Sequence, residues 1–207
     1  MRRPEFIARQ AGRPTGILGR LVARVMAMET VTINRRVLEL LDLEAGTRVL
    51  EIGFGHGRTL ARVAELAPKG FVAGIDISAE MVQMARRHNR NSIAKGLIEV
   101  KCASSDRIPY PDESFDRAYA VHTLYFWDDP LGHLREIYRI IRVGGRFILA
   151  FGPKEDEHAV AAFPESVYHF YSIDEAQHLL SKAGFGNVSM VRETHGSRDI
   201  VFAAGHR

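Results

Sequence analysis

Three closely spaced glycines behind a short apolar run, at residues 48–60 (RVLEIGFGHGRTL), constrain this chain more than any other stretch. The run reads as a buried strand, Gly53, Gly55 and Gly57 as a tight turn, and the residues after them as the start of a helix. A backbone that turns sharply from strand to helix, and lets a ligand come close, needs glycine where a Cβ would clash. The helix behind the turn offers unpaired N–H groups and the positive end of its dipole. Such a turn suits a small anionic or zwitterionic cofactor at the carboxyl end of the first strand.

The rest of the chain alternates in the same way. After strand 48–52, helices are expected at 59–67, 79–91, 129–142 and 172–184. Strands are expected at 71–76, 97–102, 115–121 and 146–151. Ser78 and Asp129 are placed as N-caps, Pro130 opens its helix, and Ser172 with Glu175 forms a capping box. Gly144 and Gly145 stop one helix, and Gly184 ends another. Two late strands, 187–193 and 198–204, are close enough to pair antiparallel across the turn 194–197. Residues 1–14 look irregular because of Pro4, Gly12 and Pro14, while 15–28 and 30–43 read as helices. The long connection from strand 146–151 to Tyr171 reads as a loop. Seven strands alternating with helices imply an α/β fold, doubly wound and mostly parallel, with an antiparallel last strand. Residues 1–45 are expected to form a helical arm or lid on a domain at 46–207.

Composition narrows the setting. At 207 residues, 46% hydrophobic and 26% charged, the chain can close one substantial soluble core. It has no apolar run long enough to span a bilayer, and no signal peptide is expected. Cys102 is the only cysteine, so no intrachain disulfide or multi-cysteine metal site can form, and a cytoplasmic setting is expected. The histidines show no metal-ligand spacing, so no metal is expected. Of the net +3, residues 1–36 hold eight arginines against Glu5 and Glu29, a local +6. Such an arm can touch anionic lipid or an anionic substrate, or its arginines can stay solvated while their neighbours pack. Charge confined to one short arm argues against a nucleic-acid partner.

Ligands of open α/β sheets bind outside the carboxyl ends of the strands. Asp76 ends the second strand, 19 residues after Gly57. A carboxylate there can accept hydrogen bonds from both hydroxyls of a ribose. A dinucleotide fingerprint would be Gly-x-Gly-x-x-Gly, but its third glycine is replaced by Arg58. Glu51, two residues before the turn, would repel a pyrophosphate and suit an ammonium or sulfonium instead. These two residues argue against a dinucleotide.

VLEIGFGHG and GIDIS (74–78) resemble the first two motifs of the class I S-adenosylmethionine-dependent methyltransferases, a Rossmann-like family. IPYPDESFD (108–116), LREIYRIIRVGGRFILA (134–150) and AGF (183–185) resemble later segments of the same family in order. The nearest likeness is to small-molecule enzymes of the ubiquinone-biosynthesis type. The resemblance implies S-adenosylmethionine as cofactor and a small-molecule acceptor, which could be lipid-like. It implies that Glu51 lies near the methionine ammonium, with Gly53, Phe54, Gly55 and Gly57 along that moiety. It also implies that Asp76 holds the ribose, and that Ile77 and Met81 pack on the adenine. The family's adenine-binding Asp is replaced by Ser104, followed by Ser105; recognition could shift to Asp106. Val121 and His122 are expected beside the carboxypropyl group and the transferred methyl.

Methyl transfer needs alignment and exclusion of water more than side-chain chemistry, since the methyl arrives activated. If the acceptor must lose a proton, His122 and Tyr125 are the candidate catalytic residues. Tyr125, Phe126 and Trp127 could wall an acceptor or simply pack the next helix. His56 is expected to pack near the cofactor, and Tyr168 and His169 are secondary acceptor-side candidates. Two alternatives remain from the residues alone: a protein that binds the cofactor without catalysis, for which Ser104 speaks, and an NAD-dependent dehydrogenase.

Overall fold

The computed structural model describes residues 3–207; Arg2, counted in the basic arm, lies outside the described residues, as do the side chains of Ile17 and Ala27. The chain opens with helices α1 (Glu5–Gly12), α2 (Gly16–Glu29) and α3 (Val31–Leu41). The alternating part follows as β1 (Arg48–Ile52), α4 (Arg58–Leu66), β2 (Phe71–Asp76), α5 (Ala79–His88), α6 (Arg90–Ala94) and β3 (Ile98–Cys102). It continues with β4 (Phe115–Val121), α7 (Pro130–Ile140), β5 (Ile141–Phe151), α8 (Glu157–Ala161), α9 (Ile173–Ala183), β6 (Gly186–His195) and β7 (Arg198–His206).

Four of these elements depart from the reading of the sequence. Residues 5–12 are helical, not irregular: Pro4 precedes the first turn, Arg9 pairs with Glu5 one turn back, and Ala8 is buried. The helix expected at 79–91 breaks at Asn89, whose side-chain amide turns inward to donate to the carbonyls of Gly57 and Ala85. β5 starts at Ile141 rather than 146, because Phe115 pairs with Ile141 before the register shifts and the Gly144–Gly145 stretch bulges. The loop before Tyr171 contains α8, capped by Asp156, which accepts from Ala159 N–H.

The sheet order is β3-β2-β1-β4-β5-β7-β6, with β7 antiparallel to both of its neighbours and the other pairs parallel. Side chains alternate across it. Leu50, Ile52, Ala118, Phe147 and Leu149 face α7 and α9, packing with Leu134, Ile137 and Leu180. Val49, Val72, Tyr119 and Ile148 face the other way, with Val37, Leu41, Leu60, Val63 and Met81 from α3, α4 and α5. Strand order reverses between β1 and β4, and a crevice at their carboxyl ends follows from that topology.

The N-terminal helices are fastened over that crevice. Arg117 and Arg146, on neighbouring strands, donate to the carbonyls of Leu41 and Leu40 at the end of α3, satisfying groups a helix leaves unpaired. At the other end Ser78 Oγ donates to Pro14 carbonyl (2.6 Å) and Gly16 N–H donates to Glu80. α1 and α2 therefore cross above the strand ends, while α3 belongs to the core. Among the described residues no helix is long and apolar enough to cross a membrane.

Candidate active site

The turn after β1 shapes one wall of a cleft. Gly53, Gly55 and Gly57 all adopt positive φ (71°, 56° and 75°), which glycine alone adopts without strain. Their reasons differ. A Cβ on Gly53 would lie 2.5 Å from Thr123 Cγ2, so this glycine lets the end of β4 come close. A Cβ on Gly55 would meet nothing within 4 Å, so bare backbone faces the cleft there. Gly57, expected along the cofactor, stands outside the cleft lining: its Cβ position is blocked by Ala85 at 2.5 Å, and it lets α4 pack on α5. Phe54 is buried beneath the turn and borders both the cleft and Gly74.

Glu51 lines the cleft on the same sheet face as Tyr119, its register partner on β4. Among the described residues its buried Oε2 has no hydrogen-bond partner, nor has the Tyr119 hydroxyl. Burial pushes the Glu51 carboxyl up to about 8; the neighbouring phenol opposes the rise and the charge of Asp76 adds to it. Asp76 accepts from Ser78 N–H through Oδ1 (2.8 Å) and from Gly55 N–H through Oδ2 (2.9 Å). Burial raises it to about 6, with those two N–H groups holding it down. The second strand's acid thus braces the glycine turn.

Ile77, half-exposed, and Met81, fully buried, border the cleft beyond Asp76. Ser104 and Ser105 line it too, and Ser105 Oγ hydrogen-bonds His133 Nδ1 at 2.7 Å. Asp106, next in the chain, is exposed and stands outside the lining. His133 was not singled out from the sequence. It stacks on Trp127, with centroids 5.0 Å apart and planes 5° from parallel, and both rings face the cleft. The signal was present: the Asp129-Pro130 cap puts position 133 on the first turn of α7, next to the strand ends. Thr30 and Asn34 from the arm, and Thr123, whose buried Oγ1 has no hydrogen-bond partner among the described residues, complete surfaces the sequence did not identify.

Val121 and His122 stand at the end of β4, and His122 N–H donates to Ala150 carbonyl (2.8 Å). His122 has φ 56°, uncommon for a residue with a side chain. Its Nδ1 lies 2.9 Å from the Tyr125 hydroxyl, which also accepts from Gly152 N–H. Burial, reinforced by the charge of Arg198, lowers the imidazole to about 4, so it is neutral at pH 7. His56, also in the lining, is held near 4 mainly by burial.

Tyr125 lies outside the cleft and lines a second cavity of about 500 Å³, together with Phe163, Tyr168, Phe170 and the 195–200 turn. The expected aromatic wall is therefore divided: Tyr125 faces the second cavity, whereas Phe126 and Trp127 face the cleft. His169 packs edge-on against Tyr171 and borders neither space. His122, Met26 and Thr30 line both spaces, so cleft and cavity meet there.

The matches to known proteins agree with this geometry. Residues 50–149 match the family described as methyltransferase domain. YrhH of Bacillus subtilis (strain 168), provisionally named a methyltransferase, is 31% identical over 128 residues, covering 62% of this chain and 70% of YrhH. The 27-O-demethylrifamycin SV methyltransferase of Amycolatopsis mediterranei is 32% identical over 163 residues, covering 75% of this chain but 60% of its own length. Among solved structures, a SAM-dependent methyltransferase from Aquifex aeolicus superposes with a TM-score of 0.69 at 26% identity, covering 84% of this chain and 89% of that one. The lining suits S-adenosylmethionine: the orphaned Glu51 Oε2 fits an ammonium, Gly55 leaves its backbone bare, and Asp76 keeps acceptor capacity. The chain belongs to the class I S-adenosylmethionine-dependent methyltransferases, and S-adenosylmethionine is its cofactor.

Proposed function

We propose that the chain methylates an oxygen of a small-molecule acceptor held in the second cavity. The observation carrying this reading is that cavity and cofactor cleft meet at His122, Met26 and Thr30. One relative, by its name, acts on 27-O-demethylrifamycin SV, an acceptor of the small-molecule kind. Bound S-adenosylmethionine supplies a methyl group already activated by a sulfonium. Glu51 would hold its ammonium, Gly53 and Gly55 would let its amino-acid end lie on the backbone, and Asp76 would take the ribose hydroxyls. Ile77, Met81 and Trp127 would flank the adenine, with Ser104 and Ser105 at its edge.

His122 acts as a hydrogen-bond donor in this reading. With Tyr125 accepting from Gly152 N–H, the phenol proton in this reading goes to His122 Nδ1 and the hydrogen of the neutral ring is left on Nε2. An Nε2–H at the junction can orient the acceptor oxygen but cannot take its proton, so the oxygen binds already ionised or gives its proton to water as the methyl is transferred. His122→Ala should lower kcat about tenfold, while His122→Gln, which keeps an N–H donor at a similar reach, should recover most of it. Methyl transfer from labelled S-adenosylmethionine to a panel of phenols and hydroxylated macrocycles provides the assay. Equal losses in both variants would restore the general-base role. Cofactor binding without turnover of any acceptor would favour a binding protein.

Residues 1–45 serve in this reading as a cover: Ala11, Gly12, Pro14 and Ala23 border the cofactor cleft. Water excluded there favours the transfer. The outward side of α2 exposes Leu18, Leu21, Val25 and Met28, with Arg20 and Arg24 beside them, a face suited to an anionic lipid surface. Arg20→Glu with Arg24→Glu should cut sedimentation with anionic vesicles about fivefold or more. Unchanged sedimentation would leave the arm as a cover alone. Cys102, free and exposed, fits a reducing, cytoplasmic setting.

A further inference from the structure

The second cavity joins an aromatic wall to an unusually placed cation. Phe163, Tyr168, Phe170 and Tyr125 form a contiguous cluster, with ring centroids 4.6 to 5.9 Å apart. Arg198, at the start of β7, lines the same space. Among the described residues its guanidinium makes no hydrogen bond. It has one long ion pair, to Glu29 at 3.9 Å, and lies 5.5 Å from the Phe163 ring centroid. A guanidinium carries five donors in a planar fork, so most of this binding capacity is unspent. Its charge is felt by His122, Tyr125 and Tyr168 although 42% of its side chain is exposed, so it stands at the cavity's edge between solvent and junction.

The neighbouring charges do not cancel it. Glu29 is shared with Arg3, its shorter partner at 3.4 Å, and Arg3 also lies over Phe163. Asp199 is engaged by Arg192 and by Thr194 Oγ1. Of the two carboxylates in the lining, Asp199 is taken by Arg192 and Glu29 is shared by two guanidinium groups, so Arg198 has no close ion-pair partner of its own above the apolar aromatic floor. The geometry points to Arg198 as the group that selects the acceptor: the cavity takes a flat aromatic anion, its ring among Tyr125, Tyr168 and Phe170 and its ionised oxygen on Arg198. This rests on the reading of the cavity as the acceptor site.

Two fluorescent probes that differ by one sulfonate test it: 8-anilinonaphthalene-1-sulfonate and the neutral N-phenyl-1-naphthylamine. Arg198→Gln should weaken the sulfonate about tenfold and change the neutral probe less than about twofold, whereas Arg198→Lys should keep much of the sulfonate affinity. Glu29→Gln should tighten the sulfonate about threefold by removing the competing carboxylate. Ala159→Trp, which fills the cavity from α8, should expel both probes. Equal weakening of both probes by Arg198→Gln, no effect of that variant, or sulfonate binding that survives Ala159→Trp overturns the proposal. If Arg198→Gln does not fold, the Glu29→Gln arm decides: tightening supports the anion site and unchanged affinity overturns it. S-adenosylhomocysteine affinity, measured on the same proteins, reports on the cofactor site separately, so failure of the methyltransfer reading and failure of the anion assignment give different results.

Discussion

Asp76→Ala is expected to lose about a hundredfold in affinity for S-adenosylhomocysteine, roughly 2.7 kcal/mol, and Asp76→Asn nearly as much. Three acceptances depend on this carboxylate. Two are within the protein, from Ser78 N–H and Gly55 N–H, and hold the glycine turn against the start of α5. The third is the proposed ribose contact. Alanine removes all three and leaves two buried N–H groups unpaired, at about 1–3 kcal/mol each. Asparagine keeps the shape but turns an NH₂ group toward one N–H, so donor meets donor. With its carboxyl held near 6, Asp76 is ionised at pH 7.5, and calorimetry at that pH measures the charged form. Denaturant melts of the same samples must show folded protein. Affinity within about threefold of the parent in a folded Asp76→Ala protein would refute the ribose assignment.

What the sequence made legible follows from local rules. The strand 48–52, its glycine turn and the acid at the end of β2 are written in contiguous residues, where a period, a turn preference and a cap act within a few positions of one another. The capping box at Ser172 and Glu175 was legible for the same reason. The division of labour among the glycines was not, because it depends on what packs opposite each: Thr123 for Gly53, open cleft for Gly55, Ala85 for Gly57. The pairing of Glu51 with Tyr119 needs the β1–β4 register. The second cavity was least legible of all. It is assembled from residue 3, the α2–α3 junction, the 159–170 stretch and the 195–200 turn, none of which carries a spacing that points to the others. Tyr125 was named as a catalytic candidate from its place after β4, but whether it faces cofactor or acceptor depends on that assembly. α1 escaped notice because Pro4, Gly12 and Pro14 crowd a stretch of only eight residues, too short for a helical period to stand out against those turn signals.

Glu51→Gln should separate stability from binding, raising one and lowering the other. In the free protein the buried carboxyl titrates near 8 instead of its ordinary 4.5. A folded-state pKa raised in this way contributes stability that is fully present below about 4.5 and is lost as pH rises through about 8. A neutral glutamine of the same shape escapes that loss. The variant should therefore match the parent at pH 5 and melt a few degrees higher, about 3 °C or more, at pH 9. Binding runs the other way. An ammonium beside Oε2 favours the ionised carboxylate, so cofactor binding at pH 7 should expel close to one proton from Glu51, and affinity should climb with pH until about 8. Calorimetric titration of S-adenosylhomocysteine at pH 7 in phosphate and in Tris, whose ionisation enthalpies differ, counts that proton. The glutamine variant should release none and bind at least about tenfold more weakly at pH 8. If parent and variant release the same number of protons, the ammonium is held elsewhere. A parent as stable at pH 9 as its glutamine variant would mean that Glu51 reaches solvent more freely than its burial between β1 and β4 implies. The two readouts are independent, and together they decide whether this chain keeps a destabilising buried acid for the sake of its cofactor.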